Sequence, residues 1–200
     1  RALAVLRRTL YVLKGALAGE WLDSDRESIG LNSSSDLWVD VDQFHECLLE
    51  CKKHGHPLEQ VCPDCVGPLT EAMSLYRDDF LKGLSLKDSL AFDDWQFSQT
   101  QSLRSEVIGA IGRLVYYHSD QEELEAAIGY ARRWLELDRT DEKAYRHLIE
   151  LYARTGNRVA ALRKYDECVK VLRKELRESP EEETNQLYHA IKENAFPMEK

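Results

Sequence analysis

Leu3, Leu6, Leu10, Leu13 and Leu17 follow one another at alternating spacings of three and four residues, the period of a single apolar helix face. Arg1, Arg7, Arg8 and Lys14 fall largely off that face. Leu22, Ile29 and Leu31 then alternate around a polar SDRE turn, which predicts a short β-hairpin. From Trp38 the helical period returns. Val41, Phe44, Leu48 and Cys51 form one stripe with Cys47 on its flank, Asp40 or Asp42 as N-cap, and Lys52 and Lys53 at the C-terminal end, where cations suit the helix dipole. GPLTEAMSLY resumes a helix, and RDDFLKGLSLKDSLAFDDW reads as a broken, loop-rich connection. A long helix is predicted from about Asp93 to Tyr117, burying Trp95, Leu103, Val107, Ile111 and Leu114.

The C-terminal part repeats itself. Ala127, Ile128, Ala131, Trp134 and Leu137 recur 34 residues later as Ala161, Leu162, Tyr165, Cys168 and Val171. Between them TDEKAYRHLIELYARTGN predicts a helix ending in a Thr155-Gly156-Asn157 turn. Small residues at helix crossings with a 34-residue period are the pattern of tetratricopeptide-type helix pairs. The register slips after RESPEEET, so the last helix reads as an atypical capping repeat. The fold class expected is mainly α: a tetratricopeptide-like helical repeat domain preceded by a helix and a β-hairpin.

Two hundred residues bury a real core without cross-links. No apolar run approaches the roughly 18 residues that span a bilayer, and no signal peptide is visible, so no membrane partner is expected. Five unevenly placed cysteines speak against a secreted disulfide scaffold and for the cytoplasm. The chain starts at Arg1 inside a predicted helix, which reads as a piece of something longer. The net charge of −9 would repel a phosphate backbone, yet residues 1–14 carry Arg1, Arg7, Arg8 and Lys14 and no acid. A basic amphipathic helix followed by a hairpin is the second half of a winged helix, whose helix enters the major groove. On residues 1–33 alone, a surface helix with an exposed charged face is the favoured reading.

WVDVDQF, AMSLYRDDFLKG, AFDDW, RRWLELDRTDEKAYRHLIELYARTGNRVAALRKYDEC and the closing stretch from Pro180 to Tyr188, in that order, resemble the bacterial transcriptional activator domain of Streptomyces-type antibiotic regulatory activators. In that family an OmpR-like winged helix precedes an all-helical, tetratricopeptide-like domain. The resemblance implies two domains here: residues 1–33, the recognition helix and wing of a DNA-binding domain, and residues 34–200, the helical activator domain. It implies a transcription regulator with DNA as one partner, reached in the intact protein through Arg7, Arg8 and Lys14, with Arg1 and Thr9 as lesser contacts. Transcription machinery or regulatory protein domains would be the other partner, held by the repeat surface. A tetratricopeptide-type protein-binding scaffold unrelated to DNA is the competing reading, and the basic helix and hairpin discriminate between the two. The apolar face of the first helix leaves a homodimer open.

CKKHGHPLEQVCPDC, residues 51–65, concentrates three of the five cysteines and two of the six histidines. Zinc takes four soft or borderline ligands in a tetrahedron, and Cys62-Pro-Asp-Cys65 offers a tight turn that points two sulfurs at one ion. With Cys51 at the end of the preceding helix and one histidine, a site for one structural zinc ion would form. His56 is preferred because it lies past Gly55, where the chain can fold back. His54 and then Cys47 are the substitutes, Cys47 fitting the core beside Phe44 and Leu48. Packed thiols and a dithiol redox pair are the other readings. Cys168 reads as core.

No phosphate-binding glycine loop, nucleophile elbow or HExxH stands in the chain. Asp78-Asp79 and Asp93-Asp94 read as caps, and His118, His147 and His189 as surface or packing positions. No enzymatic activity is expected.

Overall fold

The leucine-lined opening forms helix α1, Ala2–Ala16, and two strands follow, β1 at Leu22–Ser24 and β2 at Ile29–Leu31. The computed structural model describes residues 2–17, 21–25, 27–32, 34–57 and 60–196; Arg1 and Arg26 lie outside them. β1 and β2 pair antiparallel, Leu22 opposite Leu31 and Ser24 opposite Ile29. Asp25 closes the turn, its Oδ1 accepting from the backbone N–H groups of Glu27 and Ser28 at 2.7 Å each. Those bonds, and a third from the Ser28 hydroxyl, hold the Asp25 carboxyl below its ordinary range. Lys14 donates to Ser24 Oγ at 2.8 Å, tying α1 to the hairpin. Leu3, Leu6 and Leu13 are exposed, so the apolar face expected on α1 is present and uncovered.

Arg1–Asp42 and Gln43–Lys200 are two compact units. The second is built almost wholly from helices: α2 (Asp40–Lys53, which begins in the first unit), α3 (Pro63–Leu75), α4 (Leu90–Asp120), α5 (Leu124–Leu137), α6 (Glu142–Arg154), α7 (Arg158–Val171) and α8 (Glu182–Lys192). On α2, Phe44, Cys47 and Cys51 are buried and Leu48 is only half-buried. The stripe expected from the periodicity is therefore turned so that Cys47, not Leu48, faces inward. Pro63 stands at the start of α3, where its missing N–H costs nothing.

α4 begins three residues before the predicted start, because the Ser89 carbonyl already accepts from Phe92 and Asp93 N–H. Leu103, Val107, Ile111 and Leu114 form its buried face as expected, but Trp95 is 46% exposed. It rests edge-on against Phe80 in the loop before α4, ring centres 5.3 Å apart. Gly112 brings α4 close to α5: a Cβ there would meet the Trp134 ring at 3.2 Å.

α5 and α7 are the two copies of the repeat, both 14 residues long. Ala127, Ala131, Trp134, Ala161 and Cys168 are buried, so small residues do stand where these helices cross their neighbours. α5 packs on α4 and α6, and α6 on α7, with α8 against both α6 and α7. The connections are short, which makes sequential helices neighbours, and α6 and α7 are capped by local side chains. Asp141 accepts from Lys143 and Ala144 N–H at the start of α6, and its other oxygen accepts from Trp134 Nε1 at 2.8 Å. Gly156 turns the chain at φ +75°, and Asn157 caps α7 through Ala160 N–H. Where the repeat register slips, α7 widens into a π-helical turn, Leu172–Leu176, and ends at Arg177 in left-handed backbone.

Candidate metal centre

α2 stops at Lys53 and α3 starts at Pro63, and none of the described residues 54–62 between them is buried. What this segment does have is a knot of sulfur and nitrogen. Cys65 Sγ lies 3.1 Å from His54 Nδ1, 3.2 Å from His56 Nε2 and 3.5 Å from Cys62 Sγ, and Cys62 Sγ lies 3.3 Å from His54 Nδ1. One ligand atom from each of His54, His56, Cys62 and Cys65 falls within 4.8 Å of every other. Metal–ligand bonds of about 2.0–2.3 Å in a tetrahedron imply edges of about 3.3–3.8 Å, within a few tenths of an ångström of the four individual separations above. A single thiol surrounded by three polar neighbours at such distances is crowded for hydrogen bonding alone.

The backbone explains how these side chains converge. Cys62 precedes α3 and Cys65 lies in its first turn, the Cys65 N–H bonding back to the Cys62 carbonyl at 2.9 Å, which brings the two sulfurs to one side. Gly55 adopts φ +75°, left-handed backbone that suits glycine, and sends His56 back towards α3. His56 Nδ1 donates to the Pro57 carbonyl at 2.9 Å; a carbonyl can only accept, so Nδ1 carries a proton and, in the neutral ring, Nε2 presents its lone pair to the cluster.

Cys51, expected among the four, is not in the group; His54, the first substitute, is. Cys51 shares the inward face of α2 with Phe44 and Cys47, is 1% exposed, and its thiol donates to the Cys65 carbonyl at 3.7 Å. His54, just past the last turn, is free of that face and its ring reaches the sulfurs. Cys47 is buried in the core, with Gln43 Nε2 at 3.8 Å from its sulfur, and burial raises its thiol pKa. Cys168 is buried on α7 as expected.

The electrostatics split the CxxC pair. Burial works against ionising Cys62, yet hydrogen bonds from Cys65, His56 and His54 outweigh it and bring the thiol down to about 6. Burial, reinforced by the nearby Cys62 and Cys51 sulfurs, pushes Cys65 up to about 12. The bond to Pro57 and the contact with Cys62 raise His56. Two imidazoles and two thiols of this kind can hold a divalent borderline metal with no open position.

The other expected site residues lie on α1. Arg7, Arg8 and Thr9 are exposed and Lys14 is half-buried against Ser24; Arg1 lies outside the described residues. A feature the sequence reading missed is a groove of about 450 Å³ between α4 and α6, with Tyr116, Asp120, His147, Glu150 and Arg154 in its walls. Arg154 is held there by the Ser119 carbonyl at 3.0 Å and by Glu122. His147 sits edge-on to Tyr116 at 4.9 Å, and burial lowers its pKa. The signal was present as helical spacing, Tyr116 with Asp120 and His147 with Glu150 and Arg154, but only packing sets the two rows face to face.

Residues 39–192 match the family model of the bacterial transcriptional activator domain. No curated protein matches the chain.

Proposed function

The chain belongs to the bacterial transcriptional activator domain family, and from that premise we propose that it works in a DNA-binding transcription regulator, with residues 1–33 as recognition helix and wing. The family is one of transcription regulators, not of enzymes. The observation that carries the DNA assignment is the surface of α1: Arg7, Arg8 and Thr9 stand exposed together, and a hairpin follows at once. Phosphate contacts supply most of the affinity of such helices and make it salt-dependent. The residues 34–200 then relay or receive the regulatory signal through protein contacts, and the groove between α4 and α6, walled by Tyr116, His147 and Glu150, is the surface we assign to a protein partner. Among the described residues no helix is long and apolar enough to cross a membrane, which fits a regulator meeting DNA in the cytoplasm.

We further assign one structural zinc ion to His54, His56, Cys62 and Cys65. Two imidazole and two thiolate donors at tetrahedral separations suit zinc better than the hard, oxygen-seeking cations. A closed set of four gives the ion a fastening role: it would join the end of α2 to the start of α3.

In the intact regulator, replacing Arg7 and Arg8 with alanine should weaken operator binding and flatten the dependence of log K on log salt by about 2 units, roughly 0.9 for each lost phosphate contact. An unchanged affinity and salt slope in a folded double variant would overturn the recognition-helix assignment.

A further inference from the structure

We propose that Cys62 and Cys65 form a peroxide-sensitive dithiol whose oxidation to a disulfide opens the metal corner, Cys62 being the residue oxidised first. The inference rests on the zinc assignment above and adds to it a chemical means of removing the ion.

Three observations carry it. The two sulfurs lie 3.5 Å apart with no atom to be displaced between them, and their positions one helical turn apart at the start of α3 put both on one side of the helix. Their exposure differs: Cys62 is partly open to solvent, while Cys65 is fully buried behind it. Redox-responsive pairs need that division between an accessible thiolate and a resolving partner within reach. Finally, both sulfurs belong to the four-atom group. A bond between them withdraws two of the four ligands at once, and two imidazoles remain.

The chemistry balances with a hydroperoxide as oxidant. The Cys62 thiolate attacks the terminal oxygen of the peroxide; the O–O bond breaks, a sulfenic acid forms on Cys62 and one hydroxide (or alkoxide) leaves. The Cys65 thiol then attacks the Cys62 sulfur; the S–S bond forms, the thiol proton goes to the departing hydroxyl and water leaves. The two cysteines have together given up two electrons to the peroxide. A thiol reductant reverses the process by exchange through a mixed disulfide. The other cysteines are internal controls. Cys47, Cys51 and Cys168 are all buried, none belongs to the group, and oxidation should pass them by.

The segment between α2 and α3 is what oxidation would release. None of its described residues from 54 to 62 is buried, so beyond the cluster those residues have little burial to hold them, while the helices on either side keep Phe44, Leu69 and Met73 in the core.

The test uses the chain purified under reducing, oxygen-free conditions and then freed of reductant. Bound zinc is measured by elemental analysis. A molar excess of hydrogen peroxide is added, released zinc is followed with a chromogenic chelator, and every thiol is mapped by differential alkylation and peptide mass spectrometry. The expected result is one equivalent of zinc at the start, released at the rate at which a Cys62–Cys65 disulfide appears, with Cys47, Cys51 and Cys168 still reduced and zinc rebound after thiol reduction. Zinc present at the start but retained, with both thiols reduced in excess peroxide, overturns the switch and leaves the zinc site standing. Zinc released together with a disulfide that involves Cys47, Cys51 or Cys168 also overturns it. Protein that carries no zinc when first isolated overturns the metal assignment, and with it the release step, whatever the thiols then do.

Discussion

The corner between α2 and α3 and the repeat from α4 to α8 solve the same problem, joining consecutive helices, by opposite means. In the repeat the links are short (121–123, 138–141 and 155–157) and the helices they join bury a continuous set of side chains, among them Val107, Ile111, Ile128, Leu148, Ile149 and Leu151. In the corner the link runs from residue 54 to 62 and buries none of its described residues. It is gathered instead by four ligand atoms around Cys65. Apolar packing is spread over many contacts and fails cooperatively. A cluster of four donors is local and can be removed by chemistry that touches nothing else. On the proposals above, one helical domain would keep a packed body and a releasable segment side by side.

The largest expected effect sharpens the packed side of that contrast. Leu148 is fully buried on α6, the helix that packs on α5, α7 and α8. Leu148→Ala should cost about 2–5 kcal/mol, read as a lower midpoint in urea with one cooperative transition. A loss below about 1 kcal/mol would mean that the repeat collapses around the missing atoms, and the contrast with the corner would weaken.

Acid should act next, and again on the packed side. His147 lies between Tyr116 and Trp134, its ring centre 4.9 Å and 5.8 Å from theirs. Burial, aided by Arg146, lowers its pKa below the ordinary 6.5, and Asp141 only partly opposes this. The unfolded chain therefore takes up the proton more readily than the folded one, so this stability is complete above about pH 6.5 and falls away as the pH drops through 6.5 towards the lower folded value. In zinc-free protein, melting temperatures between pH 7.5 and 5.5 should show the decline, and His147→Gln should flatten it. A variant with the same slope as the parent would remove His147 as its source.

Metal removal should have the smallest effect on the fold as a whole, and that smallness is the point. Chelation of zinc-loaded protein should speed amide exchange in residues 54–66 and leave the far-ultraviolet helical signal within a few per cent, because the helical unit is large enough to stay folded without the ion. Loss of helicity across α4–α8 would show that the corner is part of the cooperative core after all.

Helix positions, the mainly helical class and the 34-residue repeat were legible in the chain by itself, because hydrophobic period and capping residues are local and survive whatever the distant chain does. The same holds for the hairpin around Asp25, for the glycine turns at Gly55 and Gly156, and for the concentration of cysteine and histidine between α2 and α3. Choices that depend on direction in space were not legible. Cys51 and His54 are three residues apart, and only the docking of α2 shows that Cys51 faces the core while His54 clears the helix end and reaches the sulfurs. Trp95 fits the buried period of α4 yet stands half-exposed, its ring meeting Phe80 and Phe92. The groove of Tyr116, His147 and Glu150 exists only once α4 and α6 are set facing each other by α5. Period tells which side chains share a face; which partner that face meets is decided by long-range packing, where the free energy depends on shapes brought together from distant parts of the chain.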